Sequence, residues 1–517
     1  MVDTTSYDNA VLANNTNLVW YKDAGIRKTV LFSCICFVAQ VTAGFDEATA
    51  GSFQAMKPWQ EHLGYPSPSR IGLITSMLYA GGVVGALIGA PIADTWGRRV
   101  VMFTGASTCL LGSILQSCSV NVGMFIVSRA LIGAGVTQSL IGGPSLVAEI
   151  AHPRIRGSIL SFYNVLWYAG SIVASWICFG SGHLNNNWSW RTASVAQVVP
   201  SLFVMIMIWV VPESPRFLMT KGRREEAHAI LAMYHANGDR DDALVLFELS
   251  EIDAAVELDA HHSKQSYVNL LKGRENRKRM FVVAMVAVFV VFSGQVIITY
   301  YFVPILNSVG ITGTDQQTGI NGGMQIWNFL VAALGAFLVG RLGARVLWLA
   351  SFIGMVIANI PLIITSAVYN QNGSLGAAYV SIVCLFLYNA AFNIGCNPLP
   401  YSYTTEILPY SMRAKGLCVF NVLCWVFSVC TNYVNPIGLA NIGWKYYIVY
   451  LGLDLIFIVA IYFTFPETKG QTLEELDRLF DKTRTADLIE GIESEKGFEK
   501  KSSSPVINEM KDDNSSQ

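Results

Sequence analysis

Residues Glu149-Ile-Ala-His-Pro-Arg-Ile-Arg156-Gly157 return half a chain later as Glu406-Ile-Leu-Pro-Tyr-Ser-Met-Arg413-Ala-Lys-Gly416. Each copy sets an arginine seven positions after a Glu-Ile pair, and each closes a long apolar run. Two further marks recur at nearly the same interval. Pro212-Glu213-Ser214-Pro215-Arg216 is answered by Pro466-Glu467-Thr468-Lys469-Gly470, and Asp94-Thr-Trp-Gly97-Arg98-Arg99 by a worn Gly340-Arg-Leu-Gly343-Ala344-Arg345. Three charged marks in the same order, repeated at one long spacing in an apolar chain, imply a doubled membrane bundle. Two similar halves that rock about a site between them are the layout of a transporter.

Composition supports this. The 517 residues are 52% hydrophobic and only 14% charged, with a mean hydropathy of +0.43. A soluble chain would carry about a quarter charged residues. A net charge of −1 gives no reason to expect a nucleic-acid partner. The ten cysteines lie in apolar runs and read as buried, reduced thiols. The seven histidines lack ligand spacing, so no metal is expected. The first apolar run is too long for a cleaved signal and is expected to remain as an anchor.

A membrane helix needs about 20 apolar residues. Twelve such runs are expected, at 28–50, 71–93, 100–119, 123–149, 159–180, 193–211, 279–306, 318–340, 346–368, 376–399, 416–439 and 446–465. The chain then divides into a tail (1–27), a six-helix half (28–211), linking helices (212–278), a second six-helix half (279–465) and a tail (466–517), disordered beyond about 480. The short-loop cations Arg98, Arg99, Arg154, Arg156, Arg341, Arg345, Arg413 and Lys415 fall on one side, which predicts that both termini and the linker face the cytoplasm. The linker repeats at helical spacing over 222–234 and 241–259, and reads as a solvated helical plug or as a latch. Asn187-Trp-Ser189 and Asn372-Gly-Ser374 are glycosylation sequons in short opposite loops.

The three marks, with the run from Phe392 to Gly416, resemble the sugar porter family of the major facilitator superfamily, and its fungal lactose-permease-like branch in particular. The resemblance covers about Asp46 to Leu479. It implies an all-α membrane protein of twelve helices in two pseudo-symmetric halves, with a central solute cavity and a proton as the coupling ion instead of a cofactor. The expected partners are a small carbohydrate-like solute and the lipid bilayer, with the chain acting as a monomer and without enzymatic activity.

Individual residues follow. Asp46 in the first span is costly in hydrocarbon unless paired or protonated. The resemblance makes it the proton acceptor, with Arg129 beside it. Asp94, Arg98, Arg99, Glu149, Arg156, Glu213 and Arg216 in one half, and Arg345, Glu406, Arg413 and Glu467 in the other, are expected to form a cytoplasmic gate. Gly340 and Ala344 stand where the family has Asp and Arg, which weakens the second lock. Asn164, Trp167 and Tyr168 share a helix face, and Asn164 stands where a sugar-binding Gln is common. Further candidate solute contacts are Gln295, Tyr300, Tyr301, Trp327, Asn328, Asn397, Tyr401 and Trp425. Val290, Val291 and Val296 replace the family's amides, so Gln295 either compensates or the solute is less hydroxylated than a hexose. Three readings stay open: proton–sugar symport, transport of another polyhydroxylated or aromatic metabolite, and a non-transporting nutrient sensor.

Overall fold

The computed structural model describes residues 16–17, 20–262, 270–408 and 410–468. The side chains of Asn164 and Tyr300, the tail beyond Thr468 and the pairing of Lys469 and Gly470 lie outside the described residues. The described residues fold as helices throughout: α1 (Ala24–Phe53), α2 (Pro68–Thr95), α3 (Arg98–Ser117), α4 (Val122–Ile150), α5 (Pro153–Gly182), and α6 and α7 (Trp188–Ala196 and Val198–Met207), which follow one another. The linking helices are α8 (Pro215–Thr220), α9 (Arg224–His235) and α10 (Ala243–His262). The second half contains α11 (Arg274–Phe292), α12 (Gln295–Tyr300), α13 (Phe302–Ser308), α14 (Thr314–Leu342), α15 (Ala344–Asn372), α16 (Leu375–Gly395), α17 (Leu399–Ile407), α18 (Tyr410–Ile442) and α19 (Tyr446–Thr464).

Among the described residues, eleven stretches are long and apolar enough to cross a membrane, and the last, Lys415–Thr464, holds two helices either side of the turn at Gly443–Lys445. Large apolar side chains cover the outside, from Leu87 and Leu111 to Ile364 and Phe463, the last 78% exposed. In water such a surface would aggregate; in lipid it is solvated. Cys34, Cys118, Cys418 and Cys430 are also exposed, against the expectation of burial, because an apolar helix in a bundle has a lipid face as well as a core face. The expected single span at 279–306 is three helices, α11 to α13. The first break falls at Ser293-Gly294, where Gly294 adopts φ +84°, a left-handed conformation that favours glycine.

Glycine lets neighbouring helices touch backbone to backbone. Between α2 and α4 the contacts are reciprocal: a Cβ on Gly81 would lie 2.0 Å from Ala130 O, and one on Gly133 would lie 1.8 Å from Leu78 O. The α1–α5 crossing repeats the device, with Gly44 against Trp167 O and Gly170 against Val41 O. These crossings set the first half as a closely packed block. Its α1 carries Asp46 and its α4 carries Arg129.

The two halves meet along α2–α18 and α5–α14. Their hydrogen bonds cluster from the middle of the bundle toward the end that carries Trp59. Thr75 Oγ1 of the first half lies 2.7 Å from Tyr301 Oη, which itself donates to Asn432 O within the second half (2.6 Å). Thr314 Oγ1 donates to Ala55 O (3.0 Å), and Asn321 Nδ2 donates to Ser52 Oγ (3.0 Å).

Candidate functional site

Asp46 and Arg129 meet in the first half. Arg129 Nη1 donates to Asp46 Oδ1 at 2.7 Å, and both residues are 1% exposed. Gln197 of α6–α7 donates to the same oxygen at 3.1 Å. Asp46 Oδ2 and Arg129 Nε and Nη2 have no partner. This is an incompletely satisfied buried ion pair, held by α1, α4 and the sixth span. Such a pair is poor at adding stability, and removing one partner costs about 3–5 kcal/mol. It suits a site whose charge is meant to change. Arg129 also lines a small cavity with Gln54, Trp59 and Phe125.

The sequence-derived solute contacts do not all fall together. Tyr168 and Asn328 come together through Asn393: Tyr168 Oη donates to Asn393 Oδ1, and Asn393 Nδ2 donates to Asn328 Oδ1 at 3.2 Å. Gln295 Nε2 donates to Asn389 Oδ1 at 2.8 Å, leaving Gln295 Oε1 without a partner. Tyr401 is 52% exposed with its hydroxyl on Asn421 Oδ1, Asn397 lies in the α16–α17 turn, and Trp425 packs against Tyr79 and the bare backbone of Gly82. Trp167 is half-buried against the α1–α5 crossing.

Two expected contacts are engaged elsewhere. Tyr301 is fully buried, with its hydroxyl committed to the α2–α18 junction, so it is a tie between the halves. Trp327 shares a helix face with the exposed Leu330 and Leu334, and its indole donates to Phe386 O at 3.0 Å. An indole placed between lipid and a carbonyl anchors a helix.

Asn389 was open to sequence reading as an amide in an apolar helix, as was Asp454 between leucines in α19. Asp454 is fully buried, and Oδ2 lies 3.2 Å from Tyr388 Oη.

At the Arg98 end the two halves repeat each other in detail. Glu213 accepts from the backbone N–H of Arg98 (3.0 Å) and Arg99 (3.2 Å), capping α3 after Gly97. Glu467 accepts from Ala344 N at 3.0 Å, capping α15 after Gly343. Arg99 donates to Trp209 O and lies over its ring; Arg345 does the same with Tyr462. Both glutamates meet free helix-start amides, because a helix N-terminus leaves its first N–H groups unpaired.

Arg98 pairs with Glu149 at 3.3 Å. Arg156, expected in that set, instead reaches Glu248 of α10 at 3.5 Å. Asp94 is exposed, and neither it, Arg216 nor Glu406 pairs with a described residue. Arg413 sits half-buried at the same end. Asn187 immediately precedes α6 and Asn372 ends α15, both at the opposite end of the bundle.

The linking helices dock on the first half through buried polar groups. His235 faces Glu248 Oε2 (2.6 Å) and Ile150 O (3.1 Å). Burial works to raise the Glu248 carboxyl, but His235, with Arg156, outweighs it and holds the group below its ordinary value. Burial, then His235, pushes His152 down from 6.5 to about 4. Between those values the unfolded chain binds a proton that the folded chain refuses. Stability contributed by this group is present above pH 6.5 and falls as pH drops toward 4. Thermal unfolding in detergent should shift downward from pH 7 to pH 5, and His152→Asn should remove part of that slope.

The chain matches the family described as "Sugar (and other) transporter" over residues 31–480 and belongs to that family. It is therefore a multi-pass membrane transporter. It is 28% identical to a high-affinity glucose transporter of Kluyveromyces lactis, over 86% of this chain and 84% of that one. It is also 28% identical to the MFS-type transporter oryC of Aspergillus oryzae, over 79% and 77%. The fold is similar to the inward-open xylose transporter XylE of E. coli, with a TM-score of 0.72 and 21% identity over 88% of this chain and 100% of that one.

Proposed function

We propose that the chain carries a sugar across the plasma membrane in symport with a proton, by alternating access. The observation that carries this reading is the Asp46–Arg129–Gln197 group: an acid, its cation and an amide, buried together between packed helices. A proton reaching Asp46 would cancel its attraction for Arg129 and free α1 and α4 to move. The likeness to a glucose transporter and to a protein described as a proton:xylose symporter supports the same reading.

The solute lies between the halves, against Tyr168 of the first and Gln295, Asn328, Asn389 and Asn393 of the second. These groups offer the paired donors and acceptors that sugar hydroxyls need once desolvated. Gln295 and the α16 amides replace what Val290, Val291 and Val296 withhold. Tyr401 and Trp425 supply aromatic faces for the sugar's C–H groups. Both termini and α8–α10 face the cytoplasm, where the repeated charges at the Arg98 end gate the pocket. With the halves bonded toward the Trp59 end, the pocket here opens inward.

Expressed in yeast lacking its own sugar carriers, the chain should take up labelled glucose, xylose or a disaccharide, and each pulse of sugar should alkalinise the medium. Uptake without alkalinisation would remove the proton from the scheme. Alkalinisation with no sugar accumulated would remove the sugar.

A further inference from the structure

The proposed transport cycle leaves one buried acid of the membrane spans unused. Asp454 of α19 is fully buried, and Oδ1 has no hydrogen-bond partner. No described Lys, Arg or His forms an ion pair with it, although α11, α15 and α18 all pack on its helix. The titratable groups that act on it are Tyr388 of α16, Cys396 just beyond that helix and Tyr450 of α19 itself. An ionised carboxylate in such surroundings, with one phenol for company, is expensive.

The hydrogen bonds of Tyr388 decide the state. Its hydroxyl contacts both Ser293 O and Asp454 Oδ2. A phenol has one proton to donate. The Ser293 carbonyl can only accept, so the phenol proton goes there. The second contact is then a hydrogen bond only if Asp454 supplies a proton of its own.

Ser293 is also the residue at which the seventh span breaks. The next residue, Gly294, is left-handed, and a Cβ there would lie 2.6 Å from Tyr388 Oη. Tyr388 is thus pressed against the break, and α12 beyond it carries Gln295.

We propose that Asp454 is protonated in this state and is a positioning residue for transport, holding the α11–α12 break through Tyr388 until it ionises. On ionisation the proton leaves to water, the carboxylate takes the Tyr388 hydroxyl, and the Ser293 carbonyl loses its tie. The segment 294–300 is then free to swing. The link to solute movement rests on the transport reading above; the protonation state and the hinge do not.

The test uses the full chain in lipid nanodiscs, without solute. Infrared spectra at pH 7 should show a protonated-carboxyl C=O stretch that Asp454→Asn removes, Tyr388→Phe shifts and Asp46→Asn leaves in place. Raising the pH should bleach that band and speed amide hydrogen exchange in 294–300 about tenfold, the effect of losing one hydrogen bond. Asp454→Asn should abolish this acceleration, because the amide keeps a donor toward Tyr388 at every pH. No band at pH 7, or a band that Tyr388→Phe leaves unmoved, overturns the proposal; so does hinge exchange that accelerates equally in Asp454→Asn. Should Asp454→Asn fail to fold, the Tyr388→Phe shift alone decides. Failure of the transport reading shows elsewhere, as absent sugar flux with the infrared band intact.

Discussion

Asp46→Asn should abolish uphill solute accumulation in proteoliposomes under an imposed pH gradient, while solute exchange at equal pH continues. The amide keeps the size of the side chain and an oxygen for Arg129 and Gln197. It cannot change charge, so no proton can be traded for the cation. The same substitution leaves Arg129 buried without its counter-ion, and thermal stability should drop by about 3 kcal/mol or more. Adding Arg129→Met removes the stranded charge and should restore most of that stability without restoring accumulation. A double variant that concentrates solute against its gradient would end the role assigned to the pair.

Gly133→Leu should have the larger structural effect. The first carbon of any side chain there would fall 1.8 Å from the carbonyl oxygen of Leu78. That oxygen belongs to a helix backbone and cannot rotate away, so α2 and α4 must part. Even Gly133→Ala should cost upward of about 3 kcal/mol, read as loss of monodisperse protein on heating. Gly452→Ala is the matched control, since a Cβ there meets nothing within 4 Å. It should be neutral or gain up to about 1 kcal/mol from helix propensity. Equal behaviour of the two variants would contradict the close crossing.

The doubled bundle was legible because its marks are charged and sit at helix ends, where polarity stands out from apolar surroundings. Asp46 and Arg129 were legible for the same reason: each is a charge inside a span. The roles of Glu213 and Glu467 were not. Their partners are backbone amides more than a hundred residues away, and backbone leaves no trace in residue identity. Nor could sequence separate Tyr168, which meets the amide chain of α14 and α16, from Tyr301, which ties α2 to α18. Both are phenols in apolar helices, and only the packing angle tells them apart. The break at Gly294 carried a signal, a Ser-Gly step inside a long apolar run, but glycine is too common in membrane helices for that step to be decisive.

The unequal locks have a mechanical consequence. In the first half the close α1–α5 and α2–α4 crossings, the Arg98–Glu149 pair and the docked linker all brace continuous helices. In the second half Ala344 stands where Arg98 would, and the chain is interrupted near residues 293, 301 and 396. Stress applied to both bundles will concentrate in the one with joints. The first half should therefore serve as a stator, and the second should do most of the flexing as the solute passes.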